Sequence, residues 1–240
     1  MGSVCLARGD TILSAAPLET QSSHSAHLLN TIEQTLTNAN CALDEVDVFA
    51  AASGPGSFTG VRIGLATLKA FAATIGRPCV GVPTLEAIAH AAGPSDRTVV
   101  LLPAGRGELF TQMFSVGAAG EIDALNEAAY LKPEDACRKY ADFSSVRWAG
   151  EGAVAHAAAL SDQALAHQYV WLDNANGENS EDGAWMVVPP RPLAVSIAAI
   201  ALLEFQRGKT VSAEELHAIY VRPSDAELNQ KWPTPKQPSR

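Results

Sequence analysis

Two kinds of side chain in this sequence stand at spacings that could support chemistry. His24 and His27 lie three residues apart on a predicted helix, a spacing at which two imidazoles can face one metal ion. Neither has a third ligand near it in the sequence, so we interpret them as a helix-start histidine and a surface or interface histidine. Glu86 could act as a general base, but the helix dipole alone also favours a carboxylate in a first turn, and we prefer that explanation.

A glycine-rich segment offers a second candidate for a binding site. Residues 54–60 read Gly-Pro-Gly-Ser-Phe-Thr-Gly, and such glycines and prolines impose a specific backbone path before a helix begins. The segment lacks the Lys-Ser/Thr pair of a P-loop, which opposes a stand-alone nucleoside triphosphatase of that class. Arg62 follows closely, and it could meet an acidic group on a partner, meet a nucleotide phosphate, or be a solvated charge.

Composition and charge favour a folded cytoplasmic protein. The chain has 240 residues, of which 47% are hydrophobic, and this length can bury one sizeable core or two small lobes. A formal net charge of -9 opposes contact with phosphate backbones, so we expect any link to RNA to run through a partner. The four cysteines lack metal-ligand spacing and indicate a reducing compartment. The apolar stretches are short or interrupted by charge, so we expect no membrane contact.

The elements that must position these residues alternate between strand and helix, which predicts an α/β fold. Short β-type runs at 4–7 and 11–15 predict a hairpin around Arg-Gly-Asp, and a second hairpin is expected through 109–116. Helices are predicted at 24–37, 59–75, 84–92, 133–140 and 193–205, and further strands at 46–52, 79–82, 98–102 and 146–149. Residues 173–182 are predicted to form an exposed loop.

Turn-forming residues near 93–96 suggest a boundary between two lobes. We therefore expect four regions: an N-terminal lobe with the partner-binding helices (1–95), a C-terminal lobe (96–190), a C-terminal helix and return segment between the lobes (191–225), and a disordered tail (226–240).

The predicted helix 59–75 is apolar on nearly every side. Arg62 and Lys69 are its only charges, so more than one neighbour must cover it. A stripe of small residues allows another helix backbone to approach closely: Gly60, Gly64, Thr67 and Thr74. The pattern favours a helix-to-helix partner interface. The alternative, which the pattern alone leaves open, is an internal helix that packs tightly against the helix 24–37.

The same residues carry a resemblance to a known family. Residues 54–64, Gly-Pro-Gly-Ser-Phe-Thr-Gly-Val-Arg-Ile-Gly, followed by Gly-Val-Pro-Thr-Leu at 81–85, resemble the signature block of the TsaB (YeaZ) family. His24 with Leu28, Leu29 and Ile32 is similar to that family's first-helix pattern, and Ile-Tyr-Val-Arg-Pro at 219–223 resembles its C-terminal motif. Within that motif, we interpret the tyrosine and the arginine as anchors of the C-terminal segment.

The resemblance implies a two-lobed actin-like (ASKHA) α/β fold, with helices packed on mixed sheets. It also implies a non-catalytic scaffold that dimerises with TsaD, or with itself when TsaD is absent, and that reaches TsaE through the complex and tRNA only indirectly. In this family TsaD holds the metal ion and transfers a threonylcarbamoyl group to the adenosine next to the anticodon. We therefore expect ATP or ADP and a metal ion in or at the partner subunits, and none held by this chain.

The resemblance and the helix pattern together predict where the partner binds. The predicted interface consists of His24, Leu28, Ile32, Phe58, Thr59, Gly60, Arg62, Ile63, Gly64, Thr67 and Phe71. Arg62 is also the residue expected to contact a nucleotide at the subunit junction.

The sequence departs from the family pattern in two places. A strand resembling Ile-Leu-Ala-Ile-Asp-Thr usually precedes the one at 2–7, and it is central in an actin-like sheet, so we expect Met1 to be a misassigned or truncated start. Pro103 stands where the family tends to have Asp, which opposes independent ATP hydrolysis. The two alternatives are a glycoprotease-like metallo-endopeptidase and a stand-alone actin-like ATP-dependent enzyme. They require a His-x-x-x-His pair and acidic phosphate-loop residues, respectively, which this sequence does not contain.

Overall fold

The computed structural model describes residues 2–18, 24–172, 183–219 and 221. The strands are β1 (Ser3–Arg8), β2 (Thr11–Pro17), β3 (Phe49–Gly54), β4 (Cys79–Pro83), β5 (Ser95–Gly105), β6 (Glu108–Val116), β7 (Ile122–Ala124), β8 (Ala129–Leu131), β9 (Val146–Ala149), β10 (Val170–Leu172) and β11 (Ala184–Val188). The helices are α1 (His24–Asn38), α2 (Phe58–Ile75), α3 (Thr84–Ala92), α4 (Pro133–Lys139), α5 (Glu151–Ala155), α6 (Ala157–Ala166) and α7 (Ala194–Gln206).

The first half of the chain builds two separate pairs of strands. The antiparallel hairpin β1–β2 turns at Gly9, which adopts a φ of 55°, and it confirms the hairpin predicted there. Strands β3 and β4 form a parallel pair, with Phe49 opposite Cys79. Helix α7 packs against both pairs, whereas α1 packs on β1 and β2 and α2 packs on β3. A two-stranded sheet is only marginally stable alone, so these helices hold the two pairs in place.

A seven-stranded mixed sheet occupies residues 95–188. Its order is β10-β11-β9-β5-β6-β7, with β8 also paired to β6. Strands β10, β11, β9 and β5 run parallel, and the pairs that β6 makes are antiparallel. Trp148 and Trp185 lie fully buried on one face, with ring centroids 4.9 Å apart, and Phe114 and Val100 lie in the cluster that includes α3. The prediction of an α/β fold with mixed sheets is confirmed.

The structure differs from the sequence predictions at several elements. A 3-10 turn at Leu43–Glu45 precedes β3, and the Glu45 carboxylate accepts a hydrogen bond from the Ala42 amide at 2.6 Å, which stabilises this turn. The strand therefore begins at Phe49 and not at 46. Residues 109–116 belong to one strand, whose hairpin partner is β5 across a turn at Arg106 and Gly107. Helices α5 and α6 were not predicted from the alanine-rich residues 151–166.

Some predictions fall outside the described residues. The exposed loop 173–182, Tyr220, Arg222 and the tail 226–240 belong to this group, and the division into lobes stays a prediction.

Residues 211–219, which we term the C-terminal strap, cross the β3–β4 pair. Val211 and Cys79 exchange two backbone hydrogen bonds of 2.8 and 2.9 Å, and the Ile219 amide donates to the Ser53 carbonyl at 2.7 Å. Leu216 is buried against the hydrophobic cluster formed by α2 and β4. The strap therefore contributes to the platform on which α2 rests.

Candidate partner interface

Helix α2 begins and ends at defined caps. The Ser57 hydroxyl oxygen accepts a hydrogen bond from the Gly60 amide at 3.3 Å, and Gly76 closes the helix in the left-handed conformation with a φ of 71°. Gly54 leads into the turn with a φ of 110°, and a Cβ there would lie 2.6 Å from the Ile219 carbonyl oxygen. Only glycine fits this position, so the strap and the start of α2 depend on each other.

Helix α2 is only partly covered by its own chain. Three of its eighteen residues are buried, and they face the strap and the β3–β4 pair: Leu65, Leu68 and Ala72. The residues exposed on the other side include a row at spacings of four and then three residues that we term the α2 row: Phe58, Arg62, Ala66, Ala70 and Ala73. Helix α2 touches α1, as the alternative of an internal helix expected, but the exposed residues of the α2 row show that this chain does not enclose it.

The two cations of α2 have different surroundings. The Arg62 guanidinium lies 3.6 Å from the centroid of the Phe58 ring, and Phe58 itself is 50% exposed. Lys69 points to the strap, where its Nζ donates to the Leu216 carbonyl at 2.9 Å. Arg62 therefore belongs to the exposed α2 row, whereas Lys69 fastens the helix to its platform.

The predicted stripe of small residues borders the α2 row. A Cβ built on Gly64 would meet nothing within 4 Å, whereas one built on Gly60 would lie 3.3 Å from the Ser57 hydroxyl. Thr67 is half-buried, and the Thr74 hydroxyl donates back to the Ala70 carbonyl at 2.7 Å. Space for another element therefore exists beside Gly64, and the alanines of the α2 row extend it.

Helix α1 provides a second partly exposed surface. Leu28 and Ile32 are half-buried, and Leu29, which the predicted interface omitted, is 52% exposed. Thr35 is buried and its hydroxyl donates to the Thr31 carbonyl at 2.7 Å. Because α1 touches α2, apolar side chains of both helices can contribute to one surface. The side chain of His24 lies outside the described residues.

The other predicted interface residues have mixed positions. Thr59 is exposed next to Phe58, and Ile63 is half-buried. Phe71 lies with its ring centroid 6.3 Å from that of Phe49, so it supports α2 from the strand side and lies off the α2 row. The residues that sequence reasoning missed are Ala66, Ala70 and Ala73. Their spacing of four and three residues was visible in the sequence, but in a helix without a polar face that spacing does not reveal which side stays open.

Glu86 lies in a separate cleft between β4, α3 and α7. The cleft has a volume of about 220 Å³ and is also lined by Glu204, Arg207 and Lys209. The Glu204 carboxylate pairs with Arg207 at 3.0 Å and Lys209 at 3.6 Å. Burial, and then the charge of Glu204, raise the pKa of Glu86. A helix dipole would favour the charged form, so the dipole explanation of Glu86 is incomplete and burial outweighs it.

The described residues contain no cluster of metal-ligating side chains. Among them, no group of three or more His, Cys, Asp or Glu side chains is placed to hold a metal ion. The β5–β6 turn, where an acidic phosphate-loop residue was sought, has positive φ at Gly105, Arg106 and Gly107 and carries no carboxylate between Pro103 and Glu108.

By length and composition alone, α2 is apolar enough to cross a membrane. The sequence-based expectation that every apolar stretch is too short or too charged is therefore too strict for this segment. Lys69, in the middle part of the helix, would cost about 2.5–3.5 kcal/mol near the centre of a bilayer, and its Nζ is already engaged with the Leu216 carbonyl.

Comparisons with known proteins agree with the α/β architecture. Residues 11–170 match the family model described as "TsaD: tRNA N6-adenosine threonylcarbamoyltransferase". The chain is 28% identical over 204 residues to the tRNA threonylcarbamoyladenosine biosynthesis protein TsaB of Escherichia coli (strain K12), covering 83% of this chain and 80% of that protein. It is 39% identical over 114 residues to the tRNA N6-adenosine threonylcarbamoyltransferase of Chelativorans sp. (strain BNC1), covering 44% of this chain and 32% of that enzyme.

A solved structure shows the same fold. YeaZ from Pseudomonas aeruginosa superposes with a TM-score of 0.68 at 23% identity, over 91% of this chain and 93% of its own.

Proposed function

The chain belongs to the family of the tRNA N6-adenosine threonylcarbamoyltransferase (TsaD) model, and we propose that within it this protein is a TsaB-type accessory subunit of tRNA threonylcarbamoyladenosine biosynthesis. Its partner is the TsaD-type enzyme that transfers the threonylcarbamoyl group. The match to TsaB extends over most of both chains, whereas the match to the enzyme covers about a third of the enzyme. This difference supports a subunit role over that of the enzyme itself.

The observation that carries this proposal is the exposed side of α2. A helix that buries Leu65, Leu68 and Ala72 against its own chain and leaves the apolar α2 row open has the anatomy of a docking element. Small side chains such as Ala66 and Gly64 allow the axis of a second helix to come close. The partner has a related fold, so its corresponding helix is the element that we propose to occupy this side.

A scaffold role is also consistent with the polar groups of the chain. The sequence has no His-x-x-x-His pair, and the β5–β6 turn offers no carboxylate for a metal nucleotide. We propose that the metal ion and ATP or ADP bind in or at the partner subunits. The net charge of -9 supports indirect contact with tRNA, and we propose a cytoplasmic complex that also includes TsaE. In the absence of TsaD the same surface is proposed to form a homodimer.

Reconstitution with purified subunits tests this function. The TsaD-type and TsaE-type subunits from the same organism are mixed with unmodified tRNA, ATP, a donor of the threonylcarbamoyl group and a divalent metal, with and without this chain. Modified adenosine is then measured by mass spectrometry of the digested tRNA. The proposal predicts formation of the modified nucleoside only when this chain is present, and none when it is the sole protein. Equal product without it, or product from this chain alone, would contradict the proposal.

A further inference from the structure

The C-terminal strap is held in place by few contacts. Of its nine described residues only Leu216 is buried, and the strap belongs to none of the described helices and strands. Two reciprocal hydrogen bonds shape the turn before Leu216: the Ser212 hydroxyl accepts from the Glu215 amide at 3.3 Å, and the Glu215 carboxylate accepts from the Ser212 amide at 3.0 Å. A segment with exposed backbone and little buried area opens at a lower free energy than a core. We therefore expect the strap to open locally while the seven-stranded sheet stays folded.

Leu216 fits a position on β4 that has no side chain. A Cβ built on Gly81 would lie 2.7 Å from Leu216 Cδ1, so the leucine fills the space that the glycine leaves. Leu216 belongs to the same hydrophobic cluster as Leu65 and Leu68 of α2. Its carbonyl accepts the hydrogen bond from Lys69 Nζ at 2.9 Å. One residue of the strap thus joins the strand pair to the helix.

The end of the strap lies on the turn that starts α2. The Ile219 amide donates to the carbonyl of Ser53, which is 2% exposed, and the Ile219 carbonyl oxygen would lie 2.6 Å from a Cβ at Gly54. Phe58, the first residue of the α2 row, follows shortly after Gly54 in the chain. Because closely packed groups transmit a displacement to their neighbours, the docked strap determines where the α2 row begins.

The strap and the α2 row lie on different sides of the helix. Leu65 and Leu68 are buried on the side of the strap, whereas the α2 row is exposed. A partner seated on the α2 row therefore leaves the strap uncovered. Any effect of the partner on the strap, or of the strap on the partner, must pass through α2.

We propose that Leu216 is a positioning residue for the partner surface: docking of the strap and binding of the TsaD-type subunit at the α2 row are coupled, and each strengthens the other. The inference rests on the proposed function, because it concerns the surface assigned there to that subunit. A partner that fits α2 only in its docked position loses binding free energy to the placement of α2 when the strap is open. Linkage is reciprocal, so the factor by which docking raises the affinity is also the factor by which the partner stabilises docking.

Hydrogen exchange tests the effect of the partner on the strap. Amide exchange is followed by mass spectrometry in peptides that contain Val211 and Ile219, whose amides donate to the Cys79 and Ser53 carbonyls. A saturating amount of the TsaD-type subunit should slow this exchange about fivefold or more, which is the lower end of typical coupling between two sites. Exchange in α6, which packs on β10 and β11, should not change.

Leu216→Asp tests the effect of the strap on the partner. An unpaired carboxylate is too costly to bury in this hydrophobic cluster, so the strap should open and the Ile219 amide should exchange fast. Affinity for the TsaD-type subunit, measured by titration calorimetry, should then fall about fivefold or more. His217→Asp is the matched control: it adds the same charge at the adjacent exposed residue and should change neither exchange nor affinity. Leu216→Met keeps the volume of the side chain and should bind as the wild type does.

A variant elsewhere separates positioning from overall stability. Leu160→Ala creates a cavity in the cluster that contains Trp148 and Trp185, so it should lower the Tm while it leaves the affinity unchanged. Circular dichroism checks that each variant is folded. If Leu216→Asp does not fold, the combined replacement Leu216→Ala and Lys69→Met opens the strap by milder changes, and exchange in the wild type gives an independent result.

The possible outcomes separate this inference from the proposed function. Unchanged strap exchange on binding, or wild-type affinity in a variant whose strap is shown to be open, would overturn the coupling. An equal loss of affinity in Leu160→Ala and Leu216→Asp would overturn it too, because affinity would then follow overall stability. In each of these cases, lost binding of Gly64→Leu would keep the α2 row as the partner surface. Wild-type affinity of Gly64→Leu would overturn the surface itself.

Discussion

Replacement of Gly64 by leucine separates the stability of the chain from its ability to bind. Gly64 lies inside α2, and a Cβ there meets nothing within 4 Å, so the monomer has room for a larger side chain. Glycine in a helix interior costs about 0.8–1 kcal/mol relative to alanine, and leucine recovers most of this. We therefore expect Gly64→Leu to stabilise the isolated chain by about 0.5–1 kcal/mol, which raises the Tm by about 1–4 °C.

The same change should disrupt the complex. A leucine side chain projects into the space beside Gly64 that the partner helix is proposed to occupy, and overpacking of this kind costs about 1–3 kcal/mol. The expected loss of affinity is therefore roughly 5- to 150-fold. Gly64→Ala is the matched control, since it gives a similar gain in helix stability while it adds only one methyl group.

Thermal unfolding and binding to the TsaD-type subunit are measured on the same three proteins. We expect both variants to melt above the wild type and only Gly64→Leu to bind much more weakly. Wild-type affinity of Gly64→Leu would refute the location of the interface. A Gly64→Leu chain that melts well below the wild type would show that Gly64 packs inside the protein.

Three other changes test the energetics of the fold. Glu86→Gln should stabilise the protein near pH 7, because burial raises the folded-state pKa of Glu86. The contribution of Glu86 to the free energy of unfolding is favourable at low pH and is lost as pH rises through that pKa. The advantage of the glutamine should therefore vanish in acid when Tm is followed against pH. Lys69→Met leaves the Leu216 carbonyl without its charged donor and should lower the free energy of unfolding, measured in urea, by about 1.5–3 kcal/mol. Amide hydrogen exchange in the strap should become faster, and unchanged exchange would contradict the link between strap and helix. Trp185→Ala removes a fully buried indole whose Nε1 donates to the Phe143 carbonyl at 2.7 Å. It should lower the free energy of unfolding in urea by about 3–5 kcal/mol, whereas a loss below about 1 kcal/mol would contradict this packing.

Local sequence signals predicted the elements that carry the candidate interface. The Gly-Pro-Gly turn, the serine cap and Gly76 determine where α2 begins and ends, and these are short-range effects that a single sequence reveals. The helical spacing of Leu28, Leu29 and Ile32 likewise predicted α1 within one residue of its end. Predictions of this kind succeed because the stabilising contacts lie within a few residues of each other.

The exposed side of α2 could not be predicted in the same way. A helix with apolar residues all round has no polar face, so periodicity leaves its orientation undetermined. The orientation comes from contacts distant in sequence: Leu216 packs in the cluster that holds Leu65 and Leu68, and Lys69 binds the carbonyl of the same Leu216. Those contacts place the row of alanines outside, although the sequence pattern had drawn attention to the glycines and threonines.

The properties of Glu86 were hidden for a related reason. Its position in the first turn of α3 is a local feature, but its raised pKa depends on burial in the cleft and on Glu204, which belongs to α7 and is distant in the sequence. Helices α5 and α6 were missed because many of their residues are alanines, which give no strong apolar period, while the buried Ala153 and Leu160 pack on the large sheet.

Thiol labelling at the centre of the α2 row tests most directly whether a partner subunit covers that row. In an Ala66→Cys variant, the labelling rate of the new thiol is followed by peptide mass spectrometry with and without a saturating amount of the TsaD-type subunit, and Val154→Cys on α5 serves as an exposed control. We expect the partner to slow labelling at position 66 at least about tenfold, because interface cores exclude solvent, and to leave the rate at position 154 unchanged. An equal labelling rate at position 66 in the free chain and in a complex shown to have formed would contradict coverage of the α2 row by the partner.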